Sequence, residues 1–553
     1  MTFVKSNSKT AWLFIVLFIG CSIYGLNSLN RDSMISNDAA QYISVAKNYL
    51  QGKGFSTSII FYDVQHRFGY IPAPQTVFPN GYPFLISLIT FLGISPQYAA
   101  FLLSLVCFNF IGFFIFLITR SSGHRDLICL TLTGIWYSFV PAWFNVLSCG
   151  SEMSFIFFTM IGLGCIIMGE KTKRKLFLFL TSASAAISFT IRYVGIFYIL
   201  SLFIFFFIGF LREKSRESLY ELLLVVGLPF FTVINIIGKN YLITSSIRGS
   251  AIYPLENSIT DGLQRLYNVL FSLFGFSKEG LVNLTIPNIL LTFFCFALVI
   301  FLIFEIKKIK VDKINYRNML AKTVPLFSIT YVTISFLFLT YFNFTAVAPL
   351  NSRYLIPLIP YCLILLADLR KVFFLNDIIA KKSISFFYWG IIIVFLCGQS
   401  NVYAWRWKNS VEKNKFAEMK YALQKPFQSD SLFEFLAERV IYERPLLGND
   451  PQLLGAILDR PVVGLPEIEY CNKIWTFNEV KKTVKKFNIT YVIFFRDIFF
   501  RNSYFDSNQV FFKEISKGII PPWLKVIFSD EKVILFQVYR QSSLLEREMR
   551  ALN

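Results

Sequence analysis

The sequence predicts a polytopic α-helical membrane protein with a small soluble α/β domain at its C-terminal end. Three observations carry that expectation. The 553 residues are 55% hydrophobic and 18% aromatic, with 64 Phe. One soluble core cannot hide that much apolar surface, so the bilayer must solvate most of the chain. Apolar stretches recur from residue 10 to residue 402, and from Tyr403 onward the composition becomes that of a soluble domain. Basic residues gather in alternate loops, which is the mark of a fixed orientation in a membrane.

The formal charge of +20 invites a nucleic-acid reading, and its distribution excludes one. From Tyr403 to the end there are 23 Lys/Arg against 18 Asp/Glu, so most of the excess lies in short loops of the apolar part. That is a positive-inside pattern, not a phosphate-tracking groove. Nine cysteines show no C-x-x-C spacing, and only Cys149 and Cys471 fall outside apolar segments. A disulfide framework or zinc site does not follow from such placement. With His66 and His124 the only histidines, triad chemistry has little to work with.

In chain order, 10–26 is the first span. Lys5 and Lys9 ahead of it place the N-terminus in the cytoplasm, and the missing small-x-small cleavage site makes it a retained span rather than a signal peptide. Residues 27–96 then form a large external loop, in which 82–94 is apolar and too short to cross. Ten further spans are expected near 97–119, 127–147, 153–169, 176–191, 194–211, 220–238, 285–304, 323–342, 354–368 and 385–402. Loops such as 171–175 and 307–322 carry the lysines and arginines, whereas the short loops on the other side hold little beyond Arg192 and Arg353. An eleven-span protein with N-terminus in and C-terminus out results, in a plasma membrane. Residues 1–402 form the membrane domain and 403–553 the extracytoplasmic one.

Within the outer segment, 263–274 reads as a surface helix. In the soluble domain, 430–441, 451–458 and 478–487 read as helices, and 462–465 and 490–495 as strands. A hairpin pairs 524–528 with 532–539. No Gly-rich phosphate loop or nucleophile elbow is present there, so that domain is assigned no chemistry.

The polar stretch 36–83 organises the rest. Ser36 or Asn37 is a good N-cap for a helix over 39–50, with Asp38 in its first turn and Gln41 and Tyr42 on the same face. Prolines 72, 74, 79 and 83 hold the remainder in irregular chain. The topology also brings Glu152, Arg192 with Tyr193, and Arg353 with Tyr354 to span ends on the outer face. Any one of these could simply snorkel to water. Four charges on one face point to a site instead. Arginines grip phosphate in a bidentate way, and a carboxylate can orient or deprotonate an acceptor hydroxyl. Phosphate leaves without help from a second acid, which accounts for the scarcity of histidine and of metal clusters.

At these residues the chain resembles the GT-C glycosyltransferases, the superfamily of protein O-mannosyltransferases and lipid A aminoarabinose transferases. Asn37-Asp38-Ala39-Ala40-Gln41-Tyr42 matches their acidic motif in the first outer loop, with Ala39 where the family commonly has a second acid. Phe78-Pro79-Asn80-Gly81-Tyr82-Pro83 is similar to their Pro-rich lead into an interfacial helix. Ser151-Glu152 and Ser352-Arg353-Tyr354 resemble their later motifs. The resemblance implies a polyprenyl-phosphate-linked sugar donor and inverting transfer to a lipid, glycan or protein acceptor on the outer face. It also allows a divalent cation, for which Ala39 is a poor start. Asp38 and Glu152 are then the expected catalytic pair. Gln41, Tyr42, Tyr82, Arg192, Tyr193, Arg353 and Tyr354 are the expected substrate-binding residues, and His66 is expected to be a satisfied loop residue. A transporter or flippase would need charges within its spans, and a scaffold would leave the first loop inert.

Overall fold

The computed structural model describes residues 8–32, 35–169, 174–247, 323–344, 352–373, 444–467, 471–496, 508–529 and 533–539, with a few isolated positions from 249 to 269. The expected spans at 285–304 and 385–402 and the expected helix at 430–441 lie outside these residues, as does most of 263–274.

Helix α1 (Ser8–Asp32) is followed by three helices of the first polar segment: α2 (Asn37–Leu50), α3 (Asp63–Phe68) and α4 (Gly81–Thr90). Then come α5 (Pro96–Ser121), α6 (Asp126–Tyr137), α7 (Val140–Leu147), α8 (Glu152–Gly169), α9 (Arg174–Ile191), α10 (Gly195–Glu213), α11 (Arg216–Thr244) and α12 (Thr323–Phe344). Among the described residues seven helices, α1, α5 and α8 to α12, are long and apolar enough to cross a membrane. The chain is a multi-pass membrane protein.

Two expected spans are broken rather than continuous helices. The stretch 127–147 is a pair, α6 and α7, bent by 50°. Pro141 opens α7, and its ring cannot continue the helix before it. The stretch 354–368 begins instead as α13 (Ser352–Leu355), passes through a 3₁₀ turn at Ile356–Leu358, and continues as α14 (Ile359–Phe373). Pro357 and Pro360 each remove a backbone donor there, so the regular ladder cannot form across them.

The strands join the two ends of the chain. Within the first segment, β1 (Ser56–Thr57) pairs antiparallel with β3 (Ala73–Pro74), while β2 (Ile59–Ile60) leaves to join a six-stranded sheet. That sheet also takes β4 (Leu446–Gly448), β5 (Val462–Val463), β6 (Tyr491–Phe495), β7 (Leu524–Ser529) and β8 (Val533–Val538), in the order β2-β5-β4-β6-β8-β7. Ile59 is in parallel register with Val462, and Ile60 with Val463. Helices α15 (Pro451–Leu458), α16 (Phe477–Lys486) and α17 (Val510–Ser516) complete this region. The expected strand at 462–465 is thus only two residues long. β4 and α17 were not expected, and neither was a sheet shared with the first polar segment. An edge strand of two residues has too little alternation to stand out in a sequence.

Helix α2 is the element that this joint positions. It packs on α4 on one side and on α15 on another. Tyr42 meets Tyr82 and Phe78 edge-on, at ring separations of 5.1 and 5.2 Å. A shared sheet, rather than a flexible tether, therefore sets where Asp38 points.

Candidate active site

The turn between α7 and α8 is the hub. After Ser148, Cys149 adopts a left-handed φ of 57°. The Gly150 amide donates to the Asn145 carbonyl at 2.9 Å. The Tyr82 hydroxyl donates to the Cys149 carbonyl at 2.9 Å, and Ser104 to the Gly150 carbonyl at 3.2 Å. A Cβ on Gly150 would run into the Glu152 carboxylate and lie 3.1 Å from Asn145 Oδ1, so a larger residue there would push on the Glu152 side chain. The Ser36 amide reaches the Ser148 carbonyl at 3.2 Å, and the Ser36 hydroxyl caps α2 by accepting from the Ala39 amide at 3.2 Å. One turn thereby fixes both the start of α2, which carries Asp38, and the start of α8, which carries Glu152.

Four charges meet at this turn. Arg353 Nη1 lies 2.7 Å from Asp38 Oδ2, and Arg353 Nε lies 3.9 Å from Glu152 Oε1. Arg192 Nη1 lies 2.6 Å from the same Glu152 oxygen and donates to Ser151 Oγ at 3.0 Å. The order Asp38–Arg353–Glu152–Arg192 is also an order of depth. The side chains of Glu152 and Arg192 are 3% and 11% exposed, those of Asp38 and Arg353 17% and 34%. A cavity of about 290 Å³ opens over the shallower end, lined by Asp38, Tyr42, Ser151, Glu152, Arg353 and others, but not by Arg192.

The remaining expected residues divide. Tyr42 lines the cavity, 3.4 Å from Ser151 Oγ, and burial together with the Asp38 charge pushes its phenol above the ordinary value, so it is a neutral hydrogen-bonding group. Tyr354 is the partner of a cation–π contact, its ring centre 5.5 Å from Arg353 Cζ. Gln41 does not reach the cavity. Its amide donates to the Ile59 carbonyl at 3.2 Å and accepts from Thr57 Oγ1 at 2.9 Å, so it ties α2 to the strands. The Tyr82 hydroxyl is occupied by the turn, and Tyr193 donates to the Thr76 carbonyl at 3.0 Å. His66 is indeed a satisfied residue, its Nε2 2.8 Å from the Gly464 carbonyl. Burial pushes the Cys149 thiol up to about 12, which leaves it no role as a nucleophile.

No protein-family model matches the chain, and no curated protein does either. Solved structures do. ArnT from Cupriavidus metallidurans, bound to undecaprenyl phosphate, superposes with a TM-score of 0.55 at 11% identity, covering 96% of this chain and 99% of that one. Its apo state gives 0.56 at 11% identity, over 96% and 98%. The oligosaccharyltransferase AglB from Archaeoglobus fulgidus, in complex with an inhibitory peptide and a dolichol-phosphate, gives 0.51 at 9% identity, over 89% of this chain and 70% of that one. All are GT-C glycosyltransferases. The fold is GT-C-like.

The carboxylates that could meet a divalent cation at this site are Asp38 and Glu152. Each carboxylate already faces a guanidinium within 2.7 Å, and Ala39 supplies no third oxygen. Among the described residues no three His, Cys, Asp or Glu side chains gather as metal ligands. Ser151, Asn145 and Gly150 line the cavity in addition to the expected residues. The run Ser148-Cys149-Gly150-Ser151, small and polar between two apolar stretches, is the signal that could have found Gly150 and Ser151; Asn145, inside apolar α7, gives none.

Proposed function

We propose that this protein is an inverting glycosyltransferase that moves a sugar from a polyprenyl-phosphate carrier to an acceptor hydroxyl on the outer face of the plasma membrane. The observation that carries this reading is the shallow Asp38–Arg353 pair at the mouth of a cavity, backed by the deep Glu152–Arg192 pair. The undecaprenyl phosphate bound to ArnT and the dolichol-phosphate bound to AglB support it from the side of the fold.

Arg353 holds the donor phosphate, because its guanidinium is partly exposed and its planar fork matches two phosphate oxygens. Taking phosphate releases Asp38 from Arg353. The Asp38 carboxylate then accepts a hydrogen bond from the acceptor hydroxyl. As that oxygen bonds to the anomeric carbon, the bond from carbon to phosphate oxygen breaks, and the polyprenyl phosphate departs with the electron pair. The hydroxyl proton passes to Asp38. Attack from the face opposite the phosphate inverts the anomeric centre. Glu152 and Arg192 do not touch substrate in this scheme; they set the position and charge of Arg353. No step runs through a metal ion. The sugar and the acceptor, whether lipid, glycan or protein, are left to experiment.

The outer-face assignment rests on the lysines of 307–322 and of the other basic loops. Reporter fusions test it: one after Lys313 should behave as cytoplasmic and one after Ser429 as external. The opposite pattern would put the cavity on the inner face and remove the lipid-donor reading.

A further inference from the structure

A second cavity, of about 510 Å³, lies between α2 and the region of α15 and β5. It is the larger of the two, and its volume is in the range of small-ligand sites. Ser44 and Lys47 line it from α2, and Gln51 from the residue that caps its C-terminus. At about 100° per residue Ser44 and Lys47 project away from the face that carries Asp38 and Tyr42. Between Asp38 and Lys47 the helix rises about 14 Å. The two cavities therefore share one helix as a wall and are separate sites.

The charge of this cavity is one-sided. Lys47, Lys53 and Arg460 line it against a single carboxylate, Asp459. Asp459 follows α15 with a left-handed φ of 53°, and that turn sets its carboxylate 2.5 Å from Lys47 Nζ. The acid is the outer partner, 62% exposed, and the lysine behind it is 18% exposed. An incoming anion meets Lys53 and Lys47 and can take the place of Asp459. Ser58 and Gln51 offer hydrogen-bonding groups, and Ile43, Ile59 and Pro72 give apolar surface for the carbon face of a ring.

We propose that this cavity binds an anionic saccharide, one bearing a carboxylate or a phosphate, as the subsite for the remote part of the acceptor. The acceptor role rests on the transferase reading; the binding does not. The test uses the full chain in detergent and isothermal titration with four probes: a glucuronate-containing disaccharide, glucose 6-phosphate, inorganic phosphate and maltose. At least one anionic sugar should bind saturably and about tenfold or more tighter than maltose. The tighter of the two names the anion. Lys53 is exposed, so Lys53→Glu should fold normally and weaken binding about tenfold. Asp459→Asn should strengthen it severalfold by removing the competing carboxylate. Asp38→Asn should leave it unchanged. Equal binding of maltose, inorganic phosphate binding as tightly as the sugars, no saturable binding, or indifference to Lys53→Glu and Asp459→Asn would overturn the proposal. If the sugars fail to bind while Asp38→Asn still abolishes transfer, this inference falls and the transferase reading stands. If the sugars bind while Asp38→Asn transfers normally, the reverse holds.

Discussion

Glu152–Arg192 and Asp38–Arg353 are alike in chemistry, and burial separates their work. The first pair is almost wholly withdrawn from water, with Ser151 as a further partner for its guanidinium. Breaking it would strand a charge where solvent cannot compensate. The second pair stands at a cavity, where either partner can exchange the other for a ligand. The difference teaches that two arginines with the same sequence signature need not both bind substrate. Under the proposed mechanism one fixes the site and one works in it.

The largest expected effect breaks the deep pair. Arg192→Leu should destabilise the protein by about 3–5 kcal/mol, because the buried Glu152 would lose its near partner and keep only the 3.9 Å contact with Arg353. Arg353→Leu, at a partly exposed pair, should cost no more than about 1 kcal/mol. Chemical or thermal unfolding of the two variants in the same detergent measures the contrast, and equal losses would erase the division of labour.

Next in size is Arg353→Lys. A lysine keeps the charge and loses the fork, so donor binding should weaken about tenfold while the melting temperature hardly moves. Donor affinity unchanged from that of the unaltered protein would reduce Arg353 to a snorkelling surface charge.

A smaller effect lies at the joint that holds α2. Burial, with the charges of Lys473 and Lys486 adding to it, pushes the His66 imidazole down to about 3 from its ordinary 6.5. The folded state therefore favours neutral His66. Its contribution is fully present above pH 6.5 and is lost as pH falls from 6.5 toward 3. Unfolding measured between pH 7.5 and pH 4.5 should show a decline in stability that His66→Gln flattens. The smallest expected effect is none: EDTA should leave transfer at its normal rate, since the proposed mechanism routes no step through a metal ion. Loss of activity restored by a divalent ion would overturn that expectation.

Much of this was legible in the sequence, and for identifiable reasons. Long apolar runs give α5, α8, α9, α10 and α11 close to their expected bounds, because the period and length of a span are local properties. Helix α15 falls where its apolar spacing puts it, as does the β7–β8 hairpin. Asp38, Glu152, Arg192 and Arg353 were expected on one face and do converge. What the sequence could not hold is depth. Nothing local distinguishes Arg192 from Arg353, and only the packing of α7, α8 and α2 around one turn makes one deep and the other shallow. The parallel register of Ile59 with Val462 joins residues some four hundred positions apart, so no periodicity signals it. The contacts of Gln41 were hidden for the same reason: its partners, Thr57 and Ile59, lie on strands too short to recognise.

The central claim is that Asp38 serves the acceptor hydroxyl. It is tested most directly by transfer from a purified polyprenyl-phosphate sugar, comparing the unaltered protein with Asp38→Asn and following donor binding and melting temperature in the same preparations. The account predicts turnover lower by about two orders of magnitude or more in Asp38→Asn, with fold and donor binding retained. Transfer at the normal rate would make the Asp38 carboxylate a helix-start charge paired with Arg353, and would move the search for the base to Glu152.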